Sequence, residues 1–204
     1  RAMISSQTEG AGYDYELIDN AFTYDNSYIL NQWQGAYNMI LAANWVIDRI
    51  EPVHDNKFKG NRKKEIVAEA RFMRFFGHYY LFRLFCKFWD TESSEGLLYR
   101  EAPVSVSSHV APRLNVAESY EKLLADLDYV IDNGPDFKDA YHASRDAAKA
   151  FKAELLMMRG KNTDFAEVIT LTEELIAKYP LENTLTDLYG KGASASEVIF
   201  ARFQ

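Results

Sequence analysis

Glu69, Arg71 and Arg74 place one acid and two cations within a single stretch of helical pattern. Such a grouping can serve catalysis when a positioned nucleophile or base stands beside it. No such partner lies in register, so the trio reads as a structural ion-pair network. Four histidines, His54, His78, His109 and His142, are scattered along the chain with no acid or nucleophile at a matching spacing. There is no H-E-x-x-H pattern, and the single cysteine, Cys86, can form no intrachain disulfide. Gly190-Lys191-Gly192 is too short for a phosphate-binding loop and follows no strand signal. The residues therefore predict a non-enzyme with no metal and no cofactor. Asn44 is an amide within an apolar stripe, and a buried amide needs partners. Asn44 and Glu69 are expected to be structural pins that satisfy each other, nearby backbone groups or Arg74.

The elements that must position these residues are helical. The first strong helix spans about Tyr28 to Ile50, with Trp33, Tyr37, Ile40, Asn44 and Ile47 stepping along one face. Glu51-Pro52 ends it, and a charged connector containing Gly60 leads to a second helix from about Lys63 to Phe88. From Phe72 onward this helix is apolar nearly all round, which predicts neighbours on every side. Gly77 sits inside it at a penalty of about 1 kcal/mol against alanine, which suggests a close backbone crossing. Residues 89–115 form a long irregular loop, of the kind that is commonly functional or disordered. A third helix covers about Val116 to Ile131 and turns Tyr120, Leu123, Leu124, Leu127 and Val130 inward; Asn133-Gly134-Pro135 ends it.

Ala147 to Pro180 then reads as two short helices around a polar turn. Ala150, Ala153, Leu156 and Met157 recur at helical spacing on the first, and Phe165, Val168, Ile169, Leu171 and Leu175 on the second. Gly160 supplies the stop, and Asp164 is expected to cap the helix that follows. This is the layout of a tetratricopeptide-type hairpin, which must stack on neighbours to bury its apolar face. The predicted fold is all-α: an α-α superhelix of tetratricopeptide-like hairpins with long irregular loops, one domain over residues 1–204. Residues 1–27 lack a sustained period and read mostly as loop.

Composition argues against a nucleic-acid partner and against a membrane-spanning segment. A net charge of −7 argues against nucleic acid, which needs clustered Lys and Arg. No stretch approaches the ~20 apolar residues of a membrane span. Thirteen Tyr, thirteen Phe and three Trp supply large flat faces for cores, interfaces and wet binding surfaces. The chain opens at Arg1-Ala2-Met3 without a charged-then-apolar leader and stops within the apolar stretch 197–204. It reads as a fragment of a longer polypeptide.

An ordered set of motifs carries a family resemblance. Trp33-x-x-x-Tyr37-x-x-Ile40-x-x-x-Asn44, then Ile66-x-x-Glu69-Ala70-Arg71-Phe72-x-Arg74 with Tyr79, Leu81, Arg83, Leu84 and Phe85, resembles the amino-terminal half of SusD/RagB proteins. Arg113-x-x-Val116-x-x-Ser119-Tyr120 with Asp126-Leu127, the Ala147 to Arg159 helix, Asp164-Phe165-x-x-Val168 and Glu197-Val198-Ile199-Phe200 continue it in the same order. Cys86-Lys87-Phe88-Trp89 departs from it, standing where the family usually continues with glycine and a Val-Pro-Leu-like stretch. The resemblance implies an outer-membrane lipoprotein that captures glycans or other nutrients at the cell surface. It is expected to be held by a lipid anchor upstream of this chain and to work beside a TonB-dependent transporter. Sugar binding needs aromatic faces against the C–H face of a pyranose plus polar groups for its hydroxyls. The platforms expected on that basis are aromatics outside the periodic faces: Trp89, Tyr99 and Tyr24. A helical-repeat adaptor for a peptide or protein partner is the other function compatible with the fold.

Overall fold

A computed structural model describes residues 23, 25–105 and 110–201. Six α-helices occur among them, and no strand: α1 (Ser27–Ile50), α2 (Arg62–Phe85), α3 (Val116–Asn133), α4 (Arg145–Arg159), α5 (Asp164–Lys178) and α6 (Leu185–Lys191). From α1 to α5 each helix packs on the next in chain order, the nearest-neighbour stacking of a helical-repeat superhelix.

Local chemistry sets the helix ends. The Asn26 carboxamide accepts from the backbone N–H of Tyr28 and Ile29 to start α1, and Asn115 with Glu118 forms a reciprocal capping box on α3. The Ser144 hydroxyl caps α4, which stops at Gly160 with a left-handed φ of 68°. Asp164 does not cap α5. It is the first helical residue, after Thr163, and its two oxygens accept from Nη2 and Nε of Arg159 at 2.8 Å each. A guanidinium one turn back offers a stronger, two-bonded partner than a single N–H, so the carboxylate turns toward it.

The core runs through the middle of the stack, with Phe72, Phe75, Phe82, Tyr120, Leu123, Leu127, Leu155 and Leu156 fully enclosed. The crossing expected at Gly77 is present: a Cβ there would stand 2.7 Å from Ile40 Cγ1 and 3.2 Å from the Ala36 carbonyl oxygen. Two expected faces differ. Met157, Phe165 and Ile169 are exposed, as is Ile176, because they lie on the sides of α4 and α5 away from the seam that Ala153, Leu156, Val168, Leu171 and Leu175 fill. On α1 the buried set is Ala36, Ile40, Ala43, Asn44 and Ile47, so the Trp33 and Tyr37 end of the stripe turns out of the core.

The long connection after α2 is irregular, but it is sutured. Gly96 N–H donates to Leu114 O at 3.1 Å, and Leu114 N–H donates to Leu97 O at 2.7 Å. Arg113 donates from Nε to Gly96 O and from Nη2 to Phe85 O, which ties the loop base to the end of α2.

Candidate functional site

The outward-turned end of α1 forms one wall of an open groove of about 420 Å³; residues 98–104 form the other. Trp33 lies on the first wall, 36% exposed, with its ring 4.8 Å from that of Tyr37 and edge-on to Phe85 at 5.0 Å. These two ring contacts come from its own helix and from the end of α2, which fixes the ring while leaving surface open. Gln34 and Asn38, one turn apart and both exposed, stand beside it as amide donors and acceptors. Tyr37 is half-buried and donates its hydroxyl to Leu98 O at 2.8 Å. Burial pushes its phenol up to about 12, with the nearby Arg100 charge opposing.

The second wall is a strap held by its backbone. Asn44 Nδ2 donates to the carbonyls of Arg100 at 3.0 Å and Ala102 at 3.3 Å. Arg74 Nη1 donates to Glu101 O and to Asn44 Oδ1, both at 3.1 Å. The N–H of Arg100 donates to His78 Nε2 at 3.0 Å. Three side chains from α1 and α2 therefore satisfy main-chain groups that an irregular segment would otherwise bury unpaired.

Beneath the strap lies a buried ion pair. Arg74 donates from Nε and Nη2 to the two oxygens of Asp126 on α3 at 2.9 and 2.5 Å. Tyr99 donates to the same carboxylate at 2.7 Å, and Arg71 approaches it at 3.7 Å while lying over the Tyr129 ring. Glu69 belongs elsewhere: its carboxylate pairs with Arg62 at 2.7 Å on the surface. The acid and two cations of the sequence motif therefore do not form one site. The two arginines converge on an acid about fifty positions downstream.

His78 is fully buried and stacks on Tyr99 with ring centroids 3.9 Å apart. Its Nδ1 faces Arg74 O at 3.0 Å and must donate, while Nε2 faces an N–H and must accept, so the ring is neutral. Burial holds it down to about 3, the bond to the Arg74 carbonyl opposing and the Arg74 charge adding. The unfolded chain binds a proton near pH 6.5, whereas the folded chain does not until about pH 3. This contribution to stability is complete above pH 6.5 and is lost as pH falls toward 3, by about 2 kcal/mol at pH 5. Urea midpoints at pH 7 and pH 5 should accordingly fall further for the wild type than for His78→Gln. Equal falls would show that His78 is not the group responsible.

Among the expected platforms, Trp89 is 68% exposed, edge-on to Phe88 at 5.1 Å, outside the groove. Phe88 lines a separate aromatic cleft of about 450 Å³ with Tyr79, Tyr80 and Phe151, and Arg83 and Glu154 face each other at its edge. Tyr99 sits under the strap with one face against His78 and its hydroxyl on Asp126. Tyr24 and His109 lie outside the described residues. Sequence reasoning did not single out Arg100, Gln34 or Asn38. The four-residue spacing of Gln34 and Asn38 beside Trp33 was the one available signal. Among the described residues no group of three or more His, Cys, Asp or Glu is placed to hold a metal ion, and no helix is long and apolar enough to cross a membrane.

The SusD-like family, described as starch-binding and associating with the outer membrane, matches residues 3–157, more than half of the chain. A SusD-like protein of Bacteroides ovatus is 27% identical over 127 residues, covering 62% of this chain and 22% of its own length. SusD-like protein P2 of Formosa agariphila is 30% identical over 154 residues, covering 72% of this chain and 28% of its own. The chain thus spans about a quarter of the length of these relatives. A solved structure with xylogluco-oligosaccharide superimposes with a TM-score of 0.74 at 18% identity, over 94% of this chain and 38% of that one. That likeness shows the shared helical fold.

Proposed function

This chain belongs to the SusD-like family, and from that premise we propose that it is a non-catalytic binder of oligosaccharide. The observation that carries the reading is the groove of α1, where Trp33 offers a fixed aromatic surface and Gln34 and Asn38 offer amides beside it. A pyranose stacks its C–H face on such a ring and exchanges hydrogen bonds with neighbouring amides, with no acid pair required. Trp89, exposed in the turn after α2 and outside the groove, is a second platform. Delivery to a TonB-dependent transporter, and attachment to the outer membrane through a lipid anchor, complete the proposal. The family's description supports the glycan and outer-membrane parts of this reading, and the solved structure with xylogluco-oligosaccharide supports the glycan part.

Titration calorimetry against a panel of plant and bacterial oligosaccharides tests it. At least one should bind, and Trp33→Ala should weaken that binding by about tenfold, the loss of one stacking contact. Unchanged affinity in Trp33→Ala with a loss in Trp89→Ala would move the site to Trp89. No binding across the panel would remove the glycan reading.

A further inference from the structure

We propose that the α1 groove selects 6-deoxy sugars, of the fucose or rhamnose type, and seats their C6 methyl group on its aliphatic lining. This rests on the glycan reading of the same groove and adds the class of sugar. The groove has little hydrogen-bonding capacity to spare. Asn44 places its amide hydrogens on the carbonyls of Arg100 and Ala102, and its oxygen accepts from Arg74. The Tyr37 hydroxyl donates to Leu98 O, and Arg100 is already partnered within the protein. Among the polar side chains of the lining, Gln34 and Asn38 alone make no hydrogen bond within the described residues, and both are exposed. A ligand covered with hydroxyls on every edge therefore finds partners on one edge only.

The free amides and the aliphatic lining occur in a fixed order. On α1, Gln34, Asn38 and Leu41 follow at steps of four and three and form one row, beside the row of Trp33 and Tyr37. Leu41 lies about 4.5 Å beyond Asn38 along the helix axis. Across the groove every second residue of 98–104 faces in; Leu98, Ala102 and Val104 are the aliphatic ones, with Val104 41% exposed. The C2 and C3 hydroxyls of a pyranose lie on the edge opposite C5. With the ring stacked on Trp33 and those hydroxyls on Gln34 and Asn38, the C5 edge is left to the aliphatic side chains. An ordinary hexose carries a hydroxymethyl there, and its hydroxyl would leave water without a partner. A 6-deoxy sugar carries a methyl group instead, which gains by leaving water.

Two matched pairs of probes that differ solely at C6 test the proposal on the whole chain. They are methyl α-L-fucopyranoside against methyl α-L-galactopyranoside, and methyl α-L-rhamnopyranoside against methyl α-L-mannopyranoside. Ligand-observed NMR titration should show the 6-deoxy member of at least one pair binding roughly tenfold tighter, and that pair identifies the sugar. Saturation transferred from the protein should be strongest on its C6 methyl, a readout that needs no variant. Leu41→Asn should reduce the preference while keeping the affinity of the hydroxylated member. Val104→Ser, at an exposed position, should do the same and keep the thermal unfolding midpoint. Equal affinity within both pairs, a C6 methyl saturated less than the ring protons, or a preference undiminished in Val104→Ser would overturn the proposal and leave the glycan reading standing. Binding of none of the four would also overturn it, and failure across the wider oligosaccharide panel would remove the glycan reading as well.

Discussion

Arg74→Met is expected to lower the unfolding free energy by about 3–5 kcal/mol, the usual consequence of leaving one charge of a buried pair alone. Arg74 and Asp126 are both almost fully enclosed, so neither recovers solvation when the other is removed. Arg74→Met also strands the Asn44 oxygen and the Glu101 carbonyl, and Asp126→Leu strands the Arg74 fork and leaves the Tyr99 hydroxyl with only its 3.3 Å bond to Lys122 O. The two single variants should each show the loss in equilibrium urea unfolding. Arg74→Met/Asp126→Leu should lose less than the sum of the two by more than about 1 kcal/mol, because neither charge is then orphaned. Additive losses would show that the pair is not coupled and that the strap is held by its other contacts.

Gly96→Ala is expected to cost about 3 kcal/mol, at the upper end of what overpacking a tight site costs. A Cβ at Gly96 would stand 2.3 Å from the Asn115 carbonyl oxygen and 2.5 Å from Ser119 Oγ. The obstacle is backbone, and it belongs to the residue that caps α3, so nothing can swing aside. Relief would need the Gly96–Leu114 suture or the cap to move. Gly35→Ala is the matched control: it lies in α1 with nothing within 4 Å of the new Cβ and should gain up to about 1 kcal/mol. Equal effects at the two glycines would refute the steric account of Gly96.

Much of the helical scaffold was legible because it depends on local periodicity. The 3.6-residue spacing placed α1 to α5 to within a few residues, and a glycine inside an otherwise aromatic helix pointed to the crossing of α1 and α2 at Gly77. Less legible was which side of a wide apolar stripe meets a neighbour. Phe165 and Ile169 share the period of Val168 and Leu171, yet only the latter pair faces α4. The seven-residue α6 has too short a pattern to announce itself. Asp164 looked like a cap because it precedes an apolar run, and only the placement of Arg159 shows where its carboxylate goes.

The site was mostly not legible. Asn44 and Arg74 stood out as polar groups within apolar patterns, but their partners, strap carbonyls for both and Asp126 for Arg74, lie 27 to 58 positions away. His78 looked like an isolated histidine because its partners are main-chain atoms, which have no signature in a sequence. The types and spacing of residues by themselves determined the helices, the acidic surface and the demand that Asn44, Arg71 and Arg74 find partners. Folding alone decided that the connection after α2 becomes a strap, and that its far wall is the exposed end of α1. The physical reason is the satisfaction of polar groups removed from water: an irregular, half-buried backbone laid against packed helices is held where side chains from those helices converge on it. That convergence is a property of three dimensions, and here it is what shapes the groove.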